Sequence, residues 1–351
     1  MNIRFMGDTA HVAYPAIVSK VSDLIGRTPL FELIRRPNGA RILLKLESTN
    51  PTGSAKIRMA RQMLDEAEQD GSLRPAGRVI ESTSGNTGMG LALLSAERGY
   101  RFTAVVDCHA SKDKLRAMQA FGAELVYVSE GEDLATADRE ALAEQMATDD
   151  QESIWTEQHN NPANSNGYRE LAQELHSALG GRVDYLVGSV GTGGSLFGTA
   201  RALKALNAEH GMESTTRVVG VEPVGSIAFG GEGGSYYQSG TGTPPGAEIG
   251  ALVDYSLLDE GVKVSDAAAF NTARYIARKK ALLVGGSAGG VIYHALHMLD
   301  SLPPDATLVI LVCDGGEKYL DTVFNDDWLR ERNLLDDNIA AQLDPLWHGA
   351  A

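Results

Sequence analysis

Short apolar runs recur along this chain, each followed by a longer segment whose apolar residues return every three or four positions. The runs at 41–46, 79–81, 102–106 and 124–128 read as strands, and the segments at 58–69, 88–99 and 112–121 read as the helices between them. The pattern resumes with strand-like runs at 185–190, 217–221, 262–264 and 307–312. Such alternation implies parallel strands, because a crossover helix is what returns the chain to the starting edge of a sheet. Two series predict two sheets, hence two α/β domains with a cleft between them, where ligands bind in such folds. The stretch 229–250 is rich in glycine, serine, tyrosine and proline without apolar periodicity, and reads as an irregular loop.

Three turns in this pattern carry chemistry. Pro51-Thr52-Gly53-Ser54-Ala55-Lys56-Ile57-Arg58 places one lysine at a helix start among small residues that let a flat ligand approach. A lysine amine is normally protonated, so to condense with an aldehyde it must be partly desolvated or held beside other electron-poor groups. Glu81-Ser82-Thr83-Ser84-Gly85-Asn86-Thr87-Gly88 is a strand-to-helix turn whose backbone N–H groups and polar side chains suit a carboxylate. Gly191-Thr192-Gly193-Gly194-Ser195-Leu196-Phe197-Gly198 follows a strand-like run and leads into a helix expected at 199–206, which suits a phosphate. Alone, that last segment is also a loose dinucleotide fingerprint. A nicotinamide enzyme, however, needs an acidic residue about twenty positions after the glycines, and Glu222 lies roughly thirty positions on.

Together the three segments resemble the fold-type II pyridoxal-phosphate enzymes of the cysteine synthase and cystathionine β-synthase family. Further landmarks in the family's order run from about Leu24 to about Trp328. They include Ile25-Gly26-Arg27-Thr28-Pro29-Leu30, Lys45-Leu46-Glu47, Gln158-His159-Asn160-Asn161-Pro162, Gly285-Gly286-Ser287-Ala288-Gly289 and Asp314-Gly315-Gly316-Glu317-Lys318-Tyr319-Leu320. The resemblance implies two three-layer α/β domains with mostly parallel sheets and the cofactor in the cleft, the tryptophan synthase β-like arrangement. It places the smaller domain at 50–160, the larger at 20–49 plus 161–325, and terminal extensions at 1–19 and 326–351.

The resemblance also distributes roles. Lys56 holds pyridoxal 5'-phosphate as a Schiff base and acts as the catalytic base. Asn86 meets the ring hydroxyl, Gly191, Thr192, Gly193, Gly194 and Ser195 hold the phosphate, and Ser287 faces the pyridine nitrogen. Thr83, Ser84, Gly85, Thr87 and Gln158 bind the substrate carboxylate, with His159 shaping the pocket where the family often has an aromatic residue. A neutral serine at the pyridine nitrogen favours elimination across the α- and β-carbons. The implied reaction is therefore β-replacement on O-acetyl- or O-phospho-L-serine through an aminoacrylate, with sulfide or an amino-acid amine such as glutamate as acceptor. Some features point elsewhere in the family. Ser82 stands where cysteine synthases carry proline, as in diaminopropionate-pathway synthases, and Gly285 to Gly289 is closer to cystathionine β-synthase, so the alternative within the family is cystathionine β-synthase-like or cysteine-desulfhydrase activity using serine or cysteine. Ile57 replaces an acidic residue, and Glu248 enters a loop usually rich in glycine. A catalytically silent binding module on the same fold is the alternative of another class.

Composition narrows the partners. The 351 residues carry a formal net charge of -15, which repels nucleic acid and anionic membranes, while the resemblance implies small-molecule amino-acid substrates. No run approaches the roughly 18 apolar residues needed to span a bilayer. The segment 1–15 lacks an apolar signal core, so a cytoplasmic location is expected. Cys108 and Cys313 have neither metal-ligand spacing nor a disulfide framework and read as buried thiols, and no metal site is expected. A homodimer is implied by the resemblance, with 1–20 and the tail after Asn325 as candidate contacts.

Overall fold

The computed structural model describes residues 17–107, 111–128, 136–213 and 215–348. Ten strands form two sheets. These are β1 (Leu30–Arg35), β2 (Arg41–Leu46), β3 (Arg78–Ser82), β4 (Arg101–Val106), β5 (Glu124–Tyr127), β6 (Ser153–Trp155), β7 (Tyr185–Ser189), β8 (Arg217–Pro223), β9 (Glu260–Val264) and β10 (Thr307–Val312). The smaller sheet has the order β5-β4-β3-β6 and is parallel throughout. The larger has the order β1-β2-β10-β7-β8-β9 and is parallel except for the antiparallel β1–β2 pair at its edge.

Strand β10 reads Thr-Leu-Val-Ile-Leu-Val and is buried at every position. That is what a central parallel strand requires, since helices cover both faces. Its side chains divide by parity. Leu308, Ile310 and Val312 pack with the helices Asp266–Lys280 and Gly286–Met298, whereas Val309 and Leu311 join the core that includes Leu196 and Leu203 of the helix Gly194–Glu209. The smaller sheet is sandwiched likewise. Val79 and Ala104 face Leu91 and Leu94 of the helix Asn86–Arg98, and Ile80 and Val105 face Ala143 of the helix Thr136–Asp149. Both domains are therefore three-layered.

The helix Gly194–Glu209 starts five residues before the start expected from sequence. Glycine lowers helix propensity, so Gly194 and Gly198 argued for a later start. Tertiary packing overrides this preference, because a Cβ on Gly198 would lie 2.4 Å from the backbone oxygen of Ser165. The stretch 229–250 is irregular, as its composition predicts. Cys108 and residues 1–16 lie outside the described residues.

Candidate active site

The carboxyl ends of β3, β4, β7 and β10 open onto one cavity of about 400 Å³. It is lined by Lys56, Thr83, Ser84, Gly85, Asn86, Thr87, Gln158, His159, Gly191, Thr192, Gly193, Ser195 and Ser287. Thus every residue expected at the site except Gly194 lines one cavity. Gly194 instead presses against Asn164, whose Oδ1 would lie 2.1 Å from an added Cβ. Glu248 is exposed and outside the lining.

Lys56 is the first residue of the helix Lys56–Asp70. Two contacts fix that helix start to the larger sheet: the N–H of Ala55 donates to the oxygen of Cys313 at 2.8 Å, and Ser54 bridges Asp314. Two residues on, Arg58 is fully buried and donates to Glu47 through Nε (2.7 Å) and Nη2 (3.0 Å). Glu174, at 2.9 Å from the same guanidinium, also takes a bond from buried Lys45. No hydrogen bond to a described residue holds Nζ of Lys56, and burial lowers its pKa, with Cys313 and Asp314 opposing. The positive end of the helix dipole works in the same direction as burial. The site therefore contains an amine poised toward its neutral, nucleophilic form.

The turn from β3 into the helix Asn86–Arg98 is held from beneath. Thr87 donates to Oε1 of Gln158 at 2.7 Å, and Nε2 of Gln158 donates to the oxygen of Ser82 at 3.1 Å. Thr83 Oγ1 accepts from the N–H of Gly88 at 3.2 Å, and its own hydroxyl hydrogen is left for the cavity. Ser84 differs. Its hydroxyl donates to Asp107 at 2.8 Å and accepts from the N–H of Asp107 and from Arg139, both at 3.2 Å, so its capacity is filled. Asn86 donates to Asp314 at 2.8 Å and accepts from Lys318 at 2.7 Å. Burial lowers the Lys318 amine to about 8.

Glycine at 193 is needed twice over. It adopts φ +87°, and a Cβ would meet the oxygen of Leu252 at 2.7 Å. This lets backbone N–H groups at the start of the helix Gly194–Glu209 face a ligand. Ser287 lines the cavity from the first turn of the helix Gly286–Met298. His159 lies 3.7 Å from Glu140, and burial, then Lys56 and Arg139, depress its pKa to about 4. Cys313 is only partly buried, and its thiol, in the cavity wall, is pushed up to about 11 by burial.

Sequence reasoning passed over Asp107, Lys114, Arg139 and Tyr319 as site residues, and all four line the cavity. Asp107 and Lys114 follow the carboxyl end of β4, a position that alone marks a cleft in an open α/β sheet. The chain matches the family profile described as "Pyridoxal-phosphate dependent enzyme" over residues 21–314.

The chain belongs to this family. It is 50% identical over 335 residues to a protein of Sinorhizobium fredii named putative cysteine synthase, covering 94% of this chain and 98% of the relative. Among solved structures, O-ureido-L-serine synthase matches with a TM-score of 0.79 and 32% identity, covering 90% of this chain and all of the other. The O-acetylserine-dependent cystathionine β-synthase of Helicobacter pylori matches at 0.80 and 31%, covering 88% and 99%. The residues present fit the family's cofactor, pyridoxal 5'-phosphate. A desolvated amine with no hydrogen-bond partner among the described residues faces a cavity that also contains a side-chain-free anion cradle at Gly193. Among the described residues no cluster suits a metal ion, and no helix is long and apolar enough to cross a membrane.

Proposed function

We propose that this protein catalyses β-replacement on an O-activated L-serine, such as O-acetyl- or O-phospho-L-serine, with sulfide or an amino-acid amine as acceptor. The observation that carries this reading is the convergence on one cavity of the Lys56 amine, the Thr83–Thr87 turn and the glycine cradle. The names of the relatives, cysteine synthase and O-ureido-L-serine synthase, support it.

Bound pyridoxal phosphate supplies a sink for the electron pair left at the α-carbon. Gly191, Thr192, Gly193 and Ser195 would hold its phosphate through backbone N–H groups and hydroxyls, and Asn86 and Ser287 would hold its ring. The Thr83 hydroxyl and the N–H groups at the start of the helix Asn86–Arg98 take the substrate carboxylate, while Gln158 and Thr87 brace one another beneath it. Nζ of Lys56 would accept the α-proton. The β-carbon to oxygen bond then breaks and the leaving group departs with its electron pair. The acceptor's sulfur or nitrogen forms the new β-bond and loses a proton, and Lys56 returns a proton to the α-carbon. Ser287 offers the pyridine nitrogen a hydroxyl rather than a carboxylate, which disfavours long-lived carbanion chemistry such as transamination.

A second reading, a thiol acceptor as in cystathionine formation, is favoured by the Gly285-Gly286-Ser287-Ala288-Gly289 segment and by the Helicobacter pylori relative. Titrating the yellow cofactor-loaded protein with each donor, then with sulfide, glutamate or homocysteine, separates the acceptors. A donor-dependent band that an acceptor reverses is expected. Absence of any change with O-acetylserine, O-phosphoserine, serine and cysteine would remove β-replacement altogether. Lys56→Ala protein should show no covalently attached cofactor after borohydride reduction.

A further inference from the structure

Once the cofactor and the α-carboxylate have been given their partners, two cations in the cavity wall remain, Lys114 and Arg139. Lys114 lies at the start of the helix Lys112–Ala120 and is 6% exposed. Among the described residues its only hydrogen-bond partner is the hydroxyl of Tyr319 at 3.5 Å, with the ring centroid at 4.7 Å. An ammonium group has three donors, and burying one with a single long contact is costly unless an anion completes it. Asp314 acts on Lys114 only through its charge: its Oδ2 accepts from Asn86 (2.8 Å) and Tyr319 (2.6 Å), and among the described residues it makes no ion pair with Lys114. Arg139 is fixed through Nη1 to Asp107 at 2.7 Å and to Ser84 at 3.2 Å. Ser84, expected from the family resemblance to grip the α-carboxylate, is thus committed to holding Arg139 against the turn. Because the whole chain carries -15, a doubly anionic substrate is disfavoured at long range and needs a local cation.

We propose that Lys114, with Arg139 in the same cavity, forms a subsite for a second anionic group of the amino-acid substrate. The group is either a phosphate ester on the donor or a side-chain carboxylate on the acceptor. The proposal deepens the β-replacement reading and rests on it.

The test is calorimetric and needs no turnover. Cofactor-loaded wild-type, Lys114→Met and Lys114→Arg proteins, matched in cofactor absorbance and circular dichroism, are titrated with three non-reacting ligands. These are L-2-amino-3-phosphonopropionate, L-glutamate and uncharged L-norvaline. The Met variant should lose about 10- to 100-fold in affinity for one of the anionic ligands, the size of one charge-assisted hydrogen bond, with norvaline binding changed less than about 2-fold. The Arg variant should recover most of the loss. Loss confined to the phosphonate assigns the subsite to the donor, and loss confined to glutamate assigns it to the acceptor. Equal losses for all three ligands, as expected if Lys114 only balances Asp314, overturn the proposal, and so does no loss for any. Failure of β-replacement itself appears separately, as wild-type protein that no donor perturbs spectrally.

Discussion

Replacing Glu81 by glutamine should make this protein more stable, and increasingly so as the pH rises. Glu81 is the penultimate residue of β3, just before the turn proposed to take the substrate carboxylate, and it is 1% exposed. Its Oε2 accepts from Thr156 at 2.5 Å and from the N–H of Gln158 at 3.2 Å. Burial nevertheless outweighs these bonds and raises the pKa from 4.5 to about 8. Between those values the native protein holds a proton that the unfolded chain has released, so stability falls by about 1.4 kcal/mol for each pH unit and levels off above 8. The whole interval is about 3.5 units, or about 5 kcal/mol, and relaxation of the site lowers this toward 2 kcal/mol. Glutamine has the shape and neutrality of the protonated acid and does not titrate. Urea unfolding followed by circular dichroism, from pH 5 to pH 9, should give near-equal stabilities at pH 5 and an advantage of about 2–5 kcal/mol for Glu81→Gln at pH 8 and above. A difference between the two proteins that stays constant across this range would refute the reasoning.

Three other substitutions probe the frame of the site. Glu47→Gln removes half of a fully buried ion pair, and although Glu174 partly compensates Arg58 at 2.9 Å, a loss of about 3 kcal/mol in urea unfolding is expected. Gly193→Ala forces a side chain into a left-handed backbone and against the oxygen of Leu252, so equilibrium dialysis should show cofactor affinity falling at least about 10-fold. His159, with its pKa depressed to about 4, is neutral in the native protein but titrates near 6.5 when unfolded. Its contribution to stability is therefore present above pH 6.5 and lost as pH falls toward 4, so His159→Gln should flatten part of the acid-side decline in urea midpoint.

What could be read from sequence follows from range of interaction. The apolar strands were legible because burial on both faces forces near-continuous runs, as in β10. The cavity-lining turns were legible because glycine and hydroxyl residues at a strand end have few other uses. Strand β6 is three residues long, too short to carry a period. Strand β1 went unread because Leu-Phe-Glu-Leu-Ile-Arg is only partly buried at an edge. The Glu47–Arg58 pair looks like two solvated charges until β2 and the helix Lys56–Asp70 are brought together. The commitment of Ser84 was equally hidden, since Asp107 lies 23 positions away and Arg139 lies 55.

A chain of polar contacts at the cavity passes back and forth between the two domains. Lys318 joins the oxygen of Thr52 to Asn86, Asn86 joins Asp314, Asp314 joins Tyr319, and Tyr319 meets Lys114. Asn86 and Lys114 belong to helices of the smaller-sheet domain, whereas Lys318, Asp314 and Tyr319 follow β10 of the larger one. Asn86 can still serve the cofactor without breaking this chain, because its amide keeps a second hydrogen and its oxygen a second lone pair. Lys56, by contrast, is anchored to the larger sheet through Ala55, Ser54 and Arg58. On the proposed reading, a ligand held at once at Lys56 and at the Thr83 turn would load the same interface that this chain spans. An anion reaching Lys114 would draw that ammonium away from its long contact with Tyr319, at the smaller-domain end of the chain. Lys114 therefore sits both in the cavity wall and at one end of the contacts that join the two domains.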